Sequence, residues 1–275
     1  MKEIFLISLI FFTNALNAVV DYSYELKKHY VKECNFISEN DEPEKQKQCF
    51  KLATKIFKIS GSKIYLCFLA DYYLEGIGVK KDIAKGLKFY EKVAASESEA
   101  AIDAQYMLGI YYGAKDSTVR NLNKAEYWLK KASLNGDSNA QCEYAILLSN
   151  QGRKEESLYW YKNAAKNDNP RAQYWLAYLI NKGDDVGINR KEIYKMLHSA
   201  AEKNFALAFQ ELAIMYWQDG NNKKAKHWYC KFINTDFFKN VQEGMDPNKA
   251  LTKDMLDDIK KQYEIEGSNL DQKTK

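Results

Sequence analysis

The chain has 275 residues, 46% hydrophobic and 14% aromatic, which is enough for a packed core and too apolar for a disordered chain. Three prolines and thirteen glycines against abundant Lys, Glu, Leu, Ala and Tyr favour helices over strands or collagen-like structure. The 41 basic and 37 acidic residues leave a formal charge of +4, too small to point to nucleic acid or an anionic membrane, so the charges read as solvated helix faces.

The chain opens with Met1-Lys2-Glu3, an unbroken apolar run from Ile4 to Phe12, and small residues around Ala15-Leu16-Asn17-Ala18. A basic start, a short apolar stretch and a small-residue exit make up a signal peptide, residues 1–18, with cleavage expected after Ala18. The run is too short for a comfortable membrane span, and no cysteine stands at the cleavage point to carry a lipid. The expected product is exported, periplasmic or secreted, with no membrane span.

Residues 19–60 read as an amino-terminal capping segment, with helices from Asp21 to Ser38 and from Pro43 to Ile59 around a turn at Asn40-Asp41-Glu42-Pro43. That hairpin brings Cys34 toward Cys49 and makes them the candidate disulfide. The alternative is that all five cysteines, Cys67, Cys142 and Cys230 included, are small buried hydrophobes. In an oxidising compartment an odd number leaves at least one thiol without an internal partner.

Internal similarity governs residues 61–238. The clearest unit runs Leu69-Ala70-Asp71-Tyr72-Tyr73-Leu74-Glu75-Gly76-Ile77-Gly78-Val79, then Asp82, Lys85-Gly86, Phe89-Tyr90 and Val93-Ala94. It recurs four times in altered form. Matching small residues fall at Ala70, Gly109, Ala145, Ala177 and Ala213, at spacings of 39, 36, 32 and 36, inside the range of helical-hairpin solenoids. Within a unit, Leu108, Gly109 and Tyr112 share one helical face, and Trp128 and Ala132 share another. Two antiparallel helices per unit follow, with Gly76-Ile77-Gly78 supplying the turn between them in the first.

These residues resemble the SEL-one-like repeat family, a relative of the tetratricopeptide repeat, over about residues 63 to 233. The third and fifth units lack the full glycine loop and look more like plain tetratricopeptide units. The resemblance implies an all-α, right-handed solenoid of antiparallel helix pairs, about five repeats between the amino-terminal cap and a carboxy-terminal segment, 239–275. In that segment Asp246-Pro247 is expected to start a last helix, running to about Glu264 before a polar tail.

The resemblance also implies that the first helix of each repeat lines a concave, protein-binding groove. The positions off the packing face are Asp71, Glu75, Tyr106, Ile110, Ile146, Asn150, Tyr174, Tyr178, Lys182, Gln210, Ile214 and Trp217. Rigid aromatics give large contact area at low entropic cost, so Tyr174, Tyr178 and Trp217 are the expected anchors. The rival reading is that several of these side chains complete packing between repeats.

Catalysis has little sequence support. Ser60-Gly61-Ser62-Lys63 matches S-x-x-K without an accompanying K-T-G, at an expected turn. His29, His198 and His227 are scattered, Gly76-Ile77-Gly78 lacks the later glycine of a phosphate loop, and Asp184-Asp185 is an ordinary polar-loop pair. No cofactor or metal is expected, and the chain is read as a non-enzyme. Exported members of the family include immunity proteins that occlude a toxic antibacterial effector, often a phospholipase, and adaptors that hold envelope or signalling proteins. Immunity is the first expectation, an adaptor or secreted host-directed factor the second, and a cell-wall-active enzyme the third.

Overall fold

The computed structural model describes residues 25–235, apart from 31, 35–37, 39, 182 and 184–186. The signal peptide, the expected carboxy-terminal helix and tail, Lys182 and Asp184-Asp185 lie outside the described residues. All regular structure among the described residues is helical, and the chain divides into two compact units after Ala140.

The first unit contains α1 (Pro43–Ser60), α2 (Lys63–Glu75), α3 (Ile83–Ala94), α4 (Ala100–Gly113) and α5 (Leu122–Leu134). Pro43 suits the first turn of α1, where its missing N–H has no helical acceptor to lose, and Cys49, Ala53 and Ile56 form the buried stripe at helical spacing. Residues 25–30 and 32–34 are helical too, and Tyr30 from this stretch is 3% exposed. Its ring packs at 5.2 Å from Tyr65 and 5.4 Å from Phe68, and its hydroxyl lies 3.0 Å from that of Tyr72. Cys34 and Cys49 are joined by a disulfide, with Cα atoms 5.6 Å apart, so the amino-terminal hairpin is covalently closed over the first repeat.

The repeats then follow from a local rule. Asp82 caps α3 by accepting the Lys85 N–H at 2.9 Å, and Asn121 caps α5 by accepting the Lys124 N–H at 3.0 Å. The backbone N–H of each cap residue donates at 2.8 Å to a tyrosine carbonyl on the preceding helix, Tyr73 or Tyr112, which closes the hairpin loop. Lys85 lies 4.1 Å from the centre of the Tyr73 ring and Lys124 lies 4.7 Å from that of Tyr112, so one short motif turns, caps and pins each pair. Later residues of α3 meet earlier residues of α2, as Tyr90 does Asp71, so the pair is antiparallel. Gly109 allows the close approach of α5, since a Cβ there would stand 2.5 Å from Leu129 Cγ.

The second unit contains most of α6 (Ser138–Asn150), then α7 (Lys154–Lys166), α8 (Pro170–Asn181), α9 (Arg190–Glu202), α10 (Ala206–Gln218) and α11 (Asn222–Ile233). Asn189 and Asn221 repeat the capping rule, accepting the Glu192 and Lys224 N–H groups at 2.9 and 3.2 Å. Helix α7 has no side-chain cap; Ser157 Oγ instead donates to the Ala145 carbonyl at 2.8 Å and ties α7 to α6. The third and fifth units therefore form helix pairs without the glycine loop. Fully buried Leu176, Leu197 and Leu212 anchor the core of this unit, each removal from water contributing roughly 1.5–3 kcal/mol.

At three of the passages from one repeat to the next the chain uses a left-handed residue. Asp168 (φ 60°) and Asn204 (φ 58°) supply it after α7 and α9, as Gly136 does after α5. Aspartate and asparagine tolerate that conformation because their short polar side chains bond locally.

Candidate protein-binding surface

In the first unit the proposed groove positions are Asp71 and Glu75 on α2 and Tyr106 and Ile110 on α4. Asp71 accepts a hydrogen bond from the Tyr90 hydroxyl on α3, and Glu75 accepts one from the Tyr111 hydroxyl on α4 at 2.8 Å. Both carboxylates thus brace neighbouring helices. Burial pushes the Asp71 carboxyl up to about 6, with the nearby Glu75 charge adding to the rise and the Tyr90 hydrogen bond opposing it. Tyr106 and Ile110 are half-buried.

In the second unit Tyr174 and Tyr178 are half-buried on α8. Tyr174 lies 5.4 Å from Trp175, 6.1 Å from Tyr178 and 5.9 Å from Phe205, while Trp175 lies 5.5 Å from Tyr178. The sequence reading singled out the two tyrosines but not Trp175 or Phe205, although three aromatics within Tyr174-Trp175-Leu176-Ala177-Tyr178 signal such a cluster. Burial pushes the Tyr174 hydroxyl above the ordinary tyrosine range. Ile146 and Ile214 are half-buried against the core, Asn150 is exposed, and Gln210 is only 7% exposed, which leaves it little surface for a partner. Trp217, at the end of α10, is 37% exposed, and its ring pairs with no other aromatic among the described residues.

The sequence reading also missed a recurring Ala-Gln pair. Gln105 is buried, donates to the Ala94 carbonyl at 3.0 Å and accepts from Asn135 at 3.1 Å, so it bolts α4 to the ends of α3 and α5. Gln141 occupies the same place in its repeat and accepts from Asn167 at 3.0 Å. The signal was present as Ala104-Gln105, Ala140-Gln141 and Ala172-Gln173.

Several of the residues that could have carried chemistry are engaged in packing. Ser60 Oγ donates to the Ile56 carbonyl at 2.8 Å and accepts the Ser62 N–H at 3.2 Å, within the turn between α1 and α2. Burial holds the Cys67 and Cys142 thiols at about 12, far from the thiolate a nucleophile requires. His198 Nε2 lies 3.0 Å from the Tyr216 hydroxyl, and burial holds the ring below the usual histidine range. Among the described residues no group of three or more His, Cys, Asp or Glu side chains is placed to hold a metal, and no helix is long and apolar enough to cross a membrane.

Comparison with known proteins places this architecture. A Sel1 repeat protein from Oxalobacter formigenes matches with a TM-score of 0.60 and 18% identity, covering 81% of this chain and 99% of that one. The protective antigen c5321 of uropathogenic Escherichia coli, which displays an SLR fold, matches with a TM-score of 0.57 and 23% identity over 74% of this chain; the match spans only 47% of the antigen's own length. Immunity protein Pa5087 from Pseudomonas aeruginosa gives a TM-score of 0.49 at 17% identity over 82% of this chain and 86% of that one, too distant to inform function. No curated protein sequence matches the chain. The Sel1 repeat model matches residues 65–98, 102–137, 138–169, 170–205 and 211–234, the third and fifth units included, and the chain therefore belongs to the Sel1 repeat family.

Proposed function

We propose that this chain is an exported, non-catalytic scaffold that binds a protein partner through the first helices of its repeats, and that the partner is a toxic antibacterial effector which it neutralises. The observation that carries the binding reading is Trp217. A large ring, 37% exposed at the end of a first helix, takes part in no aromatic pair among the described residues, while Trp128, Trp160 and Trp228 of the second helices are each packed against another aromatic ring. Tryptophan and tyrosine are the side chains most often found as energetic anchors of protein interfaces. Tyr178, half-buried beside Trp175, offers a second, preorganised ring.

Export is supported by the leader-like start and by the Cys34–Cys49 disulfide, a bond that persists in oxidising compartments. In the periplasm a rigid repeat protein with a preformed aromatic surface suits an immunity role, which calls for tight occlusion of one partner.

The test is affinity capture from the native organism with the chain from Val19 onward as bait, followed by measurement of the dissociation constant for the protein retained. One tightly held toxin or lipase supports immunity, whereas retention of an envelope or signalling protein replaces immunity with an adaptor role. With the partner in hand, Tyr178→Ala and Trp217→Ala are each expected to weaken binding by more than about 1 kcal/mol. Unchanged affinity in folded variants removes this face from the interface.

A further inference from the structure

Helices α7, α8 and α9 of the second unit, with Asp168 and Gly187-Ile188 between them, line an open cavity of about 650 Å³, a volume typical of sites that hold small ligands or a few amino-acid residues. Its apolar lining comes from Ala165, Leu176, Ile188 and Met196. Lys162, Lys166 and Lys195 also line it, and none of their ammonium groups has an ion pair or hydrogen bond among the described residues. Two carboxylates share the site. Asp168 is already engaged by Lys203, and it accepts further hydrogen bonds from Ser199 at 2.9 Å and Gln173 at 3.1 Å. Among the described lining residues Glu192 alone is left to oppose the three lysines, so these residues set an excess of positive charge above an apolar floor.

That arrangement selects a guest with an apolar body and negative flanks. Gln173 completes the wall and is itself 4% exposed. For a chain that binds a protein partner, a short acidic segment carrying one apolar side chain has that chemistry. We propose that this cavity seats an acidic segment of the protein partner, with an apolar side chain between Leu176 and Met196 and flanking carboxylates on Lys162, Lys166 and Lys195. This inference rests on the protein-binding reading and specifies the partner's surface. It is independent of Trp217, which is not among the lining residues.

Methionine methyl NMR gives a local readout. The full chain is labelled at its methionine methyl carbons, the Met196 signal is assigned with Met196→Leu, and Met107 and Met215 serve as internal references. The probes are the blocked pentapeptide Glu-Glu-Leu-Glu-Glu, its counterpart Lys-Lys-Leu-Lys-Lys, and decanoate. The expected result is a saturable shift of the Met196 signal with the acidic peptide alone, weakened roughly tenfold by each of Lys162→Glu and Lys195→Glu, and further by raised salt. Both lysines lie at the cavity rim, and unchanged far-UV circular dichroism establishes that the variants fold. No shift at Met196, or an equal shift with the lysine peptide, overturns the proposal. A shift with decanoate alone overturns it in favour of a small anionic amphiphile. Loss of captured partner in Trp217→Ala but not in Lys162→Glu/Lys195→Glu leaves the protein-binding reading standing and removes the cavity from it.

Discussion

In the unit that ends at Ala140, polar side chains are turned back into the fold. Asp71 and Glu75 brace Tyr90 and Tyr111, Gln105 bolts three helices together, and a disulfide closes the amino-terminal hairpin. In the unit that begins at Gln141, the same repeat exposes Trp217, half-buries a packed cluster of rings on α8, and sets three lysines around a cavity. The difference teaches that a solenoid repeat specifies its core and its turns and leaves the remaining positions free. One unit uses those positions for rigidity, and on the proposed function the other keeps them for recognition.

The largest effects should come from breaking the rigidity of the first unit. The disulfide closes a loop with a sequence separation of 15, for which the chain-entropy estimate is about 3 kcal/mol. Cys34→Ser with Cys49→Ser is expected to lower the protection of α1 and α2 in hydrogen exchange by about that amount and to leave α9 and α10 unchanged. Equal loss in both regions would show that the two units do not respond separately. Next in size is Gly109→Ala, whose new Cβ would meet Leu129 Cγ at 2.5 Å; overpacking of this kind costs about 1–3 kcal/mol, read as a fall in urea midpoint.

How much of this was legible depends on whether a residue's role is local. The helix pairs were, because apolar spacing such as Leu108, Gly109 and Tyr112 and small residues such as Ala70 and Gly109 recur at a fixed interval. The caps carried a local signal that the sequence reading did not use, four Asx residues before second helices, Asp82, Asn121, Asn189 and Asn221. Surface roles were less legible. Asp71 and Gln210 occupy first-helix positions that looked free, yet Asp71 is claimed by Tyr90 from the neighbouring helix and Gln210 is buried. The cavity lysines sit on α7 and α9, far apart in sequence, and only tertiary packing shows that they share one space. In one dimension they are indistinguishable from a solvated helix face.

A change of pH should act on Asp71 of the first unit and on the carboxylates of the second with opposite sign. Asp71 has its folded pKa raised from 3.8 to about 6, so the folded state holds a proton that the unfolded chain has lost across that window. The contribution of Asp71 to stability should therefore fall as pH rises through the window and stay lower above it, whereas Asp41, held low chiefly by its hydrogen bond to Lys45, acts in the opposite sense. Asp71→Asn, which keeps an acceptor for Tyr90, is expected to flatten that slope and raise stability at neutral pH by on the order of 1 kcal/mol, a discounted figure because Asp71 is only half-buried. In the second unit Asp168 is held low chiefly by its hydrogen bond to Lys203, and Asp219 by those to Tyr194 and then Arg190. Their stabilisation is present above the ordinary carboxylate range and is lost as pH falls below it. Hydrogen exchange at pH 7, 5 and 3.5, followed helix by helix, separates the two trends.

The smallest expected effect is the most discriminating. If the exposed ring at Trp217 is kept for a partner, its removal should cost the fold almost nothing, since surface substitutions away from caps and cores fall within about 0.5 kcal/mol. The same Trp217→Ala variant should lose more than about 1 kcal/mol of partner affinity. Tyr178→Ala should behave differently, because that ring also packs on Trp175, and its binding loss should come with a measurable fall in melting temperature. A stability loss at Trp217 as large as that at Tyr178 would place Trp217 among the packing residues, and the contrast between a unit built for rigidity and one kept for recognition would rest on the cavity alone.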